Sequence, residues 1–117
     1  MTTRDELDVV NEAFAALLAT PDPGRLAAFY TDDAVFLEAG KATTIGRAAI
    51  LEKFRRDLPE PMSVRFETGE VIEDGDLVVD IGTLHSGGKR FARYVVVYRR
   101  QEDGTLKLAV DVPLRAN

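Results

Sequence analysis

Apolar residues recur at steps of three and four near the start of the chain and at steps of two in its second half. Leu7, Val10, Phe14, Leu17 and Leu18 predict one face of an amphipathic helix. Pro21 and Pro23 end it. A short helical stretch follows, with Leu26, Phe29 and Tyr30 as its apolar side, and Thr31-Asp32-Asp33 reads as a turn. Residues 34 to 38 predict a short strand. Gly40 to Gly46 is a loop with room for a two-residue strand. Ile50, Leu51, Phe54 and Leu58 predict a third helix from Arg47 to Leu58, stopped by Pro59 and Pro61.

From Met62 the period changes. Met62, Val64, Phe66 and Thr68 alternate with Ser63, Arg65 and Glu67, and Gly69 marks a bulge. Turns at Glu73-Asp74-Gly75-Asp76, Ser86-Gly87-Gly88-Lys89 and Glu102-Asp103-Gly104 separate strands over 77–85, 90–100 and 105–112. Three N-terminal helices with one short strand among them, followed by a four-strand antiparallel meander, define an α+β class in a single domain, residues 1–117. The helices are expected on one face of a strongly curved antiparallel sheet. On the 90–100 strand, Tyr94, Val96 and Tyr98 share one face, and Phe91, Val95 and Val97 the other. Two apolar faces need two covers. The helices supply one. A second copy docked on the sheet supplies the other, unless the curled sheet covers itself, so a homodimer is expected.

Composition narrows the chemistry. A chain of 117 residues is one domain long and buries roughly two-thirds of its unfolded surface. It has no Cys and one His, which rules out disulfides and thiol nucleophiles and argues against zinc or non-haem iron. A carboxylate magnesium site stays open, and no metal is expected. With 20 acidic and 15 basic residues the net charge is −5, which argues against nucleic acid as a partner. Arg55-Arg56 and Arg99-Arg100 read as solvated faces. The first ten residues have no basic region followed by an apolar core, and no apolar run reaches a membrane span. A cytoplasmic protein without membrane contact is expected.

Four stretches resemble the nuclear transport factor 2-like superfamily, in its SnoaL-like and ketosteroid isomerase-like branch: FAALLATPDPGRLAAFYTDDAVF, TTIGRAAILEKF, EDGDLVVDIGTLH and YVVVYRRQEDGTLKLAVD. The resemblance implies a cystatin-like cone, a sheet curled around helices to leave a cavity for a small apolar molecule, with no cofactor. Phe14, Tyr30, Phe36, Phe54, Val96 and Tyr98 are the candidate wall residues. Each is equally suited to plain core packing.

The same resemblance suggests the chemistry. In ketosteroid isomerases the stretch after the acidic turn carries the general base, and Glu38 falls there, on one strand face with Ala34 and Phe36. A carboxylate in an apolar cavity is a stronger base than one in water. The isomerase's oxyanion hole uses a Tyr on the first helix, where this chain has Phe14, and a later Asp, whose place falls near Tyr94 or Val96. Tyr94 is therefore the expected donor, within reach of Glu38. Asp111 is a second candidate base, because SnoaL-like cyclases use a late-strand Asp. The limonene epoxide hydrolase set of one Arg and two Asp residues is not found, since Val95 stands two residues after Arg93. Asp80 lies among apolar residues and is expected to pair with Arg93 or Arg65. His85, beside a hairpin, reads as structural. The resulting expectation is an isomerase, cyclase or lyase acting next to the carbonyl of a small apolar compound. The alternatives are a non-catalytic ligand-binding or accessory domain and a dimerisation domain that uses its sheet.

Overall fold

The computed structural model describes residues 1–58 and 60–115. Its elements are α1 (Thr3–Ala19), α2 (Pro23–Ala27), β1 (Tyr30–Phe36), β2 (Thr44–Ile45), α3 (Arg47–Asp57), β3 (Arg65–Asp74), β4 (Leu77–Ser86), β5 (Lys89–Arg100) and β6 (Leu106–Arg115). Six strands form one curved sheet in the order β2-β1-β6-β5-β4-β3. No helix is long and apolar enough to cross a membrane among the described residues.

Local signals account for the helices. Thr2 caps α1 with a reciprocal pair: the Asp5 N–H donates to Thr2 Oγ1 at 3.1 Å, and the Thr2 N–H donates to Asp5 Oδ2 at 2.9 Å. Pro23 opens α2 behind the Asp22 cap. The face of α1 that carries Leu7, Asn11 and Leu18 is buried, and Ile50 and Phe54 anchor α3. Pro59, expected to stop α3, lies outside the described residues.

Three expectations are corrected. The helical stretch with Phe29 and Tyr30 ends at Ala27, and Tyr30 opens a strand. Thr31-Asp32-Asp33 is not a turn but part of β1, which shifts register against β6 between Tyr30 and Val35. The local turn preference of these residues gives way to long-range pairing, because β1 runs parallel to β6 and the Phe29 carbonyl accepts from the Leu108 N–H at 2.8 Å. The sheet is thus antiparallel except for this one pair. Residues 62 to 64 precede β3, and the Met62 N–H instead donates to the Leu18 carbonyl at 2.9 Å, tying the segment to the end of α1.

Close approaches bend the sheet. The register of β3 against β4 shifts between Glu67 and Glu70, and a Cβ on Gly69 would collide with the Ile81 carbonyl. A second shift, between β5 and β6, leaves Ala109 as the extra residue. It places Leu108 and Asp111, three apart in sequence, on the same inner face: Leu108 stands opposite Tyr98 and Asp111 opposite Val96. The core at this face includes Leu7, Leu26, Tyr30, Ile50 and Tyr98, all essentially inaccessible.

Candidate active site

Between α1, α3 and the inner face of the sheet lies a cavity of about 450 Å³, a size suited to a small organic ligand. Phe14, Tyr30, Phe36, Phe54, Val96 and Tyr98 all border it. Phe14 is the hub of the aromatic wall, meeting Phe29, Tyr30, Phe54 and Phe66 edge-on at ring separations of 5.5 to 6.4 Å.

Two carboxylate–phenol pairs stand on the inner face. The register runs Asp111–Val96–Asp80 across β6, β5 and β4, so the two carboxyls flank Val96. The Tyr30 hydroxyl donates to Asp111 Oδ2 at 2.6 Å. Asp111 Oδ1 has no hydrogen-bond partner among the described residues, and Asp111 borders the cavity. Burial pushes the Asp111 carboxyl up to about 6; the Tyr30 hydrogen bond opposes the rise and the Glu38 charge adds to it. Burial, with the Asp111 charge behind it, holds the Tyr30 hydroxyl protonated.

The second pair lies deeper. Asp80 is fully buried, and its Oδ2 accepts from the Tyr94 hydroxyl at 2.8 Å and from Thr68 Oγ1 at 3.4 Å. Asn11 Nδ2 donates to Thr68 Oγ1 at 2.9 Å and to the Tyr94 hydroxyl oxygen at 3.4 Å. Gly82 makes room for this network, since a Cβ there would collide with the Tyr94 phenol. Burial raises the Asp80 pKa against these hydrogen bonds.

At the rim, Glu38 follows the end of β1, with Leu37 still donating its N–H to the Asp111 carbonyl at 2.9 Å. Glu38 forms an ion pair with Lys53, and Lys41 stands 3.8 Å away. Lys53 also binds Asp57 at 2.7 Å and sits 5.1 Å from the centre of the Phe36 ring. Burial disfavours the Lys53 ammonium, but the hydrogen bonds to Asp57 and Glu38 prevail and raise its pKa.

This geometry corrects two pairings expected from the sequence. Tyr94 does not serve Glu38: its hydroxyl is turned to Asp80 by the β4–β5 register. Asp80 does not pair with Arg93 or Arg65, because it faces inward while both arginines are exposed. Arg93 Nε donates to the Gly82 carbonyl at 3.0 Å, and its guanidinium faces Glu70 at 3.6 Å. His85 Nε2 lies 3.0 Å from Glu67 Oε1. The pattern reading missed Asn11 and Lys53. Asn11 had a signal, as a polar residue within the apolar stripe of Leu7, Phe14 and Leu18. Lys53 had none, since its partner Glu38 is distant in sequence.

The family model of the SnoaL-like domain matches residues 11–109, and the chain belongs to that family. No curated protein matches it. Among solved structures, it is similar to a ketosteroid isomerase-like protein from Erwinia carotovora atroseptica SCRI1043, 20% identical with a TM-score of 0.72 over 97% of this chain and 98% of that one. A domain with a cystatin-like fold from Nostoc punctiforme PCC 73102 is 14% identical, with a TM-score of 0.79 over 100% and 80% of the two chains. The yeast UBP3-associated protein BRE5 is 17% identical, with a TM-score of 0.74 over 100% and 98%. At these identities the likeness concerns the fold, a cystatin-like α+β cone.

Proposed function

We propose that this chain is a cofactor-independent enzyme that moves a proton next to the carbonyl of a small apolar compound, with Asp111 as general base. The observation that carries this reading is the state of Asp111 itself: a carboxyl at the cavity wall, raised to about 6, with one oxygen held by Tyr30 and the other open. A base of that strength is half ionised near pH 6, is mostly ionised at neutral pH, and takes up a proton more readily than an ordinary carboxylate. Tyr30 is a positioning residue that fixes the orientation of the carboxyl. Glu38 is bound to Lys53 at the rim, so of the two candidate bases Asp111 is the better placed. Isomerisation, cyclisation and elimination all begin with this proton transfer, and the family fold hosts such enzymes.

The test is solvent deuterium incorporation, followed by NMR, at the carbon beside the carbonyl across a panel of apolar cyclic ketones. The wild type should accelerate exchange for a subset. Asp111→Asn should lose on the order of 100-fold or more, and Glu38→Gln should lose far less. Exchange no faster than in buffer alone, across the panel, would favour a second reading, a ligand-binding or accessory domain. Phe14 favours that reading, because it cannot donate a hydrogen bond from α1. A further part of the proposal is a homodimer through the outer sheet face, supported by the apolar row Ile72, Val79, Val97 and Val110.

A further inference from the structure

The chain has three tyrosines, and all three border the cavity. Tyr30 gives its hydroxyl proton to Asp111 and Tyr94 gives its own to Asp80. Tyr98 gives its proton to nothing among the described residues, although only 2% of the residue is exposed. Buried phenols ordinarily find a hydrogen-bond partner, so an unpartnered one at a cavity wall calls for a ligand atom.

The sheet sets Tyr98 beside the proposed base. Val96 and Tyr98 share the inner face of β5, and Asp111 stands opposite Val96. Tyr98 is therefore the diagonal neighbour of Asp111, at a backbone separation of roughly 7–8 Å. That spacing leaves room for a short group of atoms held between a carboxylate on one side and a hydroxyl on the other.

We propose that Tyr98 is a catalytic residue whose phenol donates a hydrogen bond to the substrate's carbonyl oxygen. The proposal rests on the proton-transfer reading and completes it. Asp111 Oδ1 takes the proton from the carbon beside the carbonyl. The C–H electron pair becomes a C=C bond, and the carbonyl π pair moves onto oxygen. The Tyr98 proton stays on Tyr98 and stabilises that oxygen by its hydrogen bond. In the return step the Asp111 carboxylic acid delivers the same proton to carbon, so no co-reactant is needed. Burial, reinforced by the Asp80 and Asp111 carboxylates, holds the Tyr98 hydroxyl protonated. A neutral donor facing the Asp111 carboxylate suits a neutral ketone or ester better than a free acid, which Asp111 would repel; the Glu38 charge at the rim is already balanced by Lys53.

The probe is 2-acetylnaphthalene, an apolar aryl ketone, with naphthalene as the control that lacks a carbonyl. Infrared spectroscopy of the bound, carbon-13 carbonyl-labelled ketone should show its C=O stretch at lower frequency in the wild type than in Tyr98→Phe. Ketone affinity should fall by about threefold to tenfold in Tyr98→Phe, and naphthalene affinity should not change. A melting midpoint equal to or above that of the wild type supports the proposal, because no protein hydrogen bond is lost. Identical stretches in the two proteins, or no ketone binding by the wild type at the ketone's solubility limit, overturn it. Equal loss of ketone and naphthalene binding together with a lower melting midpoint shows a structural role and also overturns it. A shifted stretch in a wild type that exchanges no proton supports the hydrogen bond and overturns the proton-transfer reading, so the two failures are distinct.

Discussion

Replacing Asp111 with Asn removes a charge that the folded state resists. The carboxyl stands at about 6 when folded against an ordinary 3.8. Ionisation is therefore easier in the unfolded chain, and the sign follows from linkage. Below about pH 4 the group is protonated in both states and contributes its full relative stability. As pH rises through 6 that contribution is lost. One pH unit of separation is worth about 1.4 kcal/mol, giving about 3 kcal/mol as the upper limit. Solvent reaching the carboxyl through the cavity lowers this, and about 1–3 kcal/mol is expected. Asn matches the protonated form in shape and charge. Asp111→Asn should therefore be more stable than the wild type by about 1–3 kcal/mol at pH 8 and nearly equal to it at pH 4. A domain of this length shifts its melting midpoint by about 4 °C per kcal/mol, so thermal melts of both proteins at the two pH values resolve the effect. Asp80 titrates in both proteins and cancels in the comparison. A variant less stable than the wild type at pH 8, or a difference unchanged between pH 4 and pH 8, would refute the assignment of a strained carboxyl at Asp111.

Three further outcomes follow from the same contacts. Tyr94→Phe removes the short hydrogen bond to Asp80 Oδ2, while Oδ1 has no side-chain partner among the described residues, so urea unfolding should show a loss of about 1–3 kcal/mol. Gly82→Ala drives a methyl into the Tyr94 phenol and the Glu67 carbonyl; a loss of about 2 kcal/mol or more is expected, and an unchanged melting midpoint would contradict the packing described. Light scattering at micromolar concentration should give about twice the 12.9 kDa chain mass, and Val97→Lys should return it to one; a monomeric wild type would leave the outer sheet face to a different partner.

The helices and the antiparallel hairpins were legible because their signals are local. The apolar stripe of α1, the prolines around α2 and the glycine turns between strands each act within a few residues. The pairing of β1 with β6 was not legible, because Thr31-Asp32-Asp33 carries a turn signal that only contact with a distant strand overrides. The site divides the same way. Period-two alternation put Tyr94, Val96 and Tyr98 on one face, but their hydroxyl partners depend on register between strands. The extra residue at Ala109 decides that Asp111 faces inward beside Leu108, and nothing in the composition of β6 announces it. Glu38 stood out through resemblance alone, and its ion pair with Lys53 joins two elements whose meeting no local pattern encodes.

The most direct test of Asp111 as the base is the pH dependence of deuterium incorporation into a ketone that the wild type accepts. The rate should rise with pH, reach half its plateau near pH 6, in line with the raised carboxyl, and stay level above pH 7. In Asp111→Asn that rise should be absent. A half-plateau in the ordinary carboxylate range near pH 4, or the same profile in the wild type and Asp111→Asn, would contradict the account.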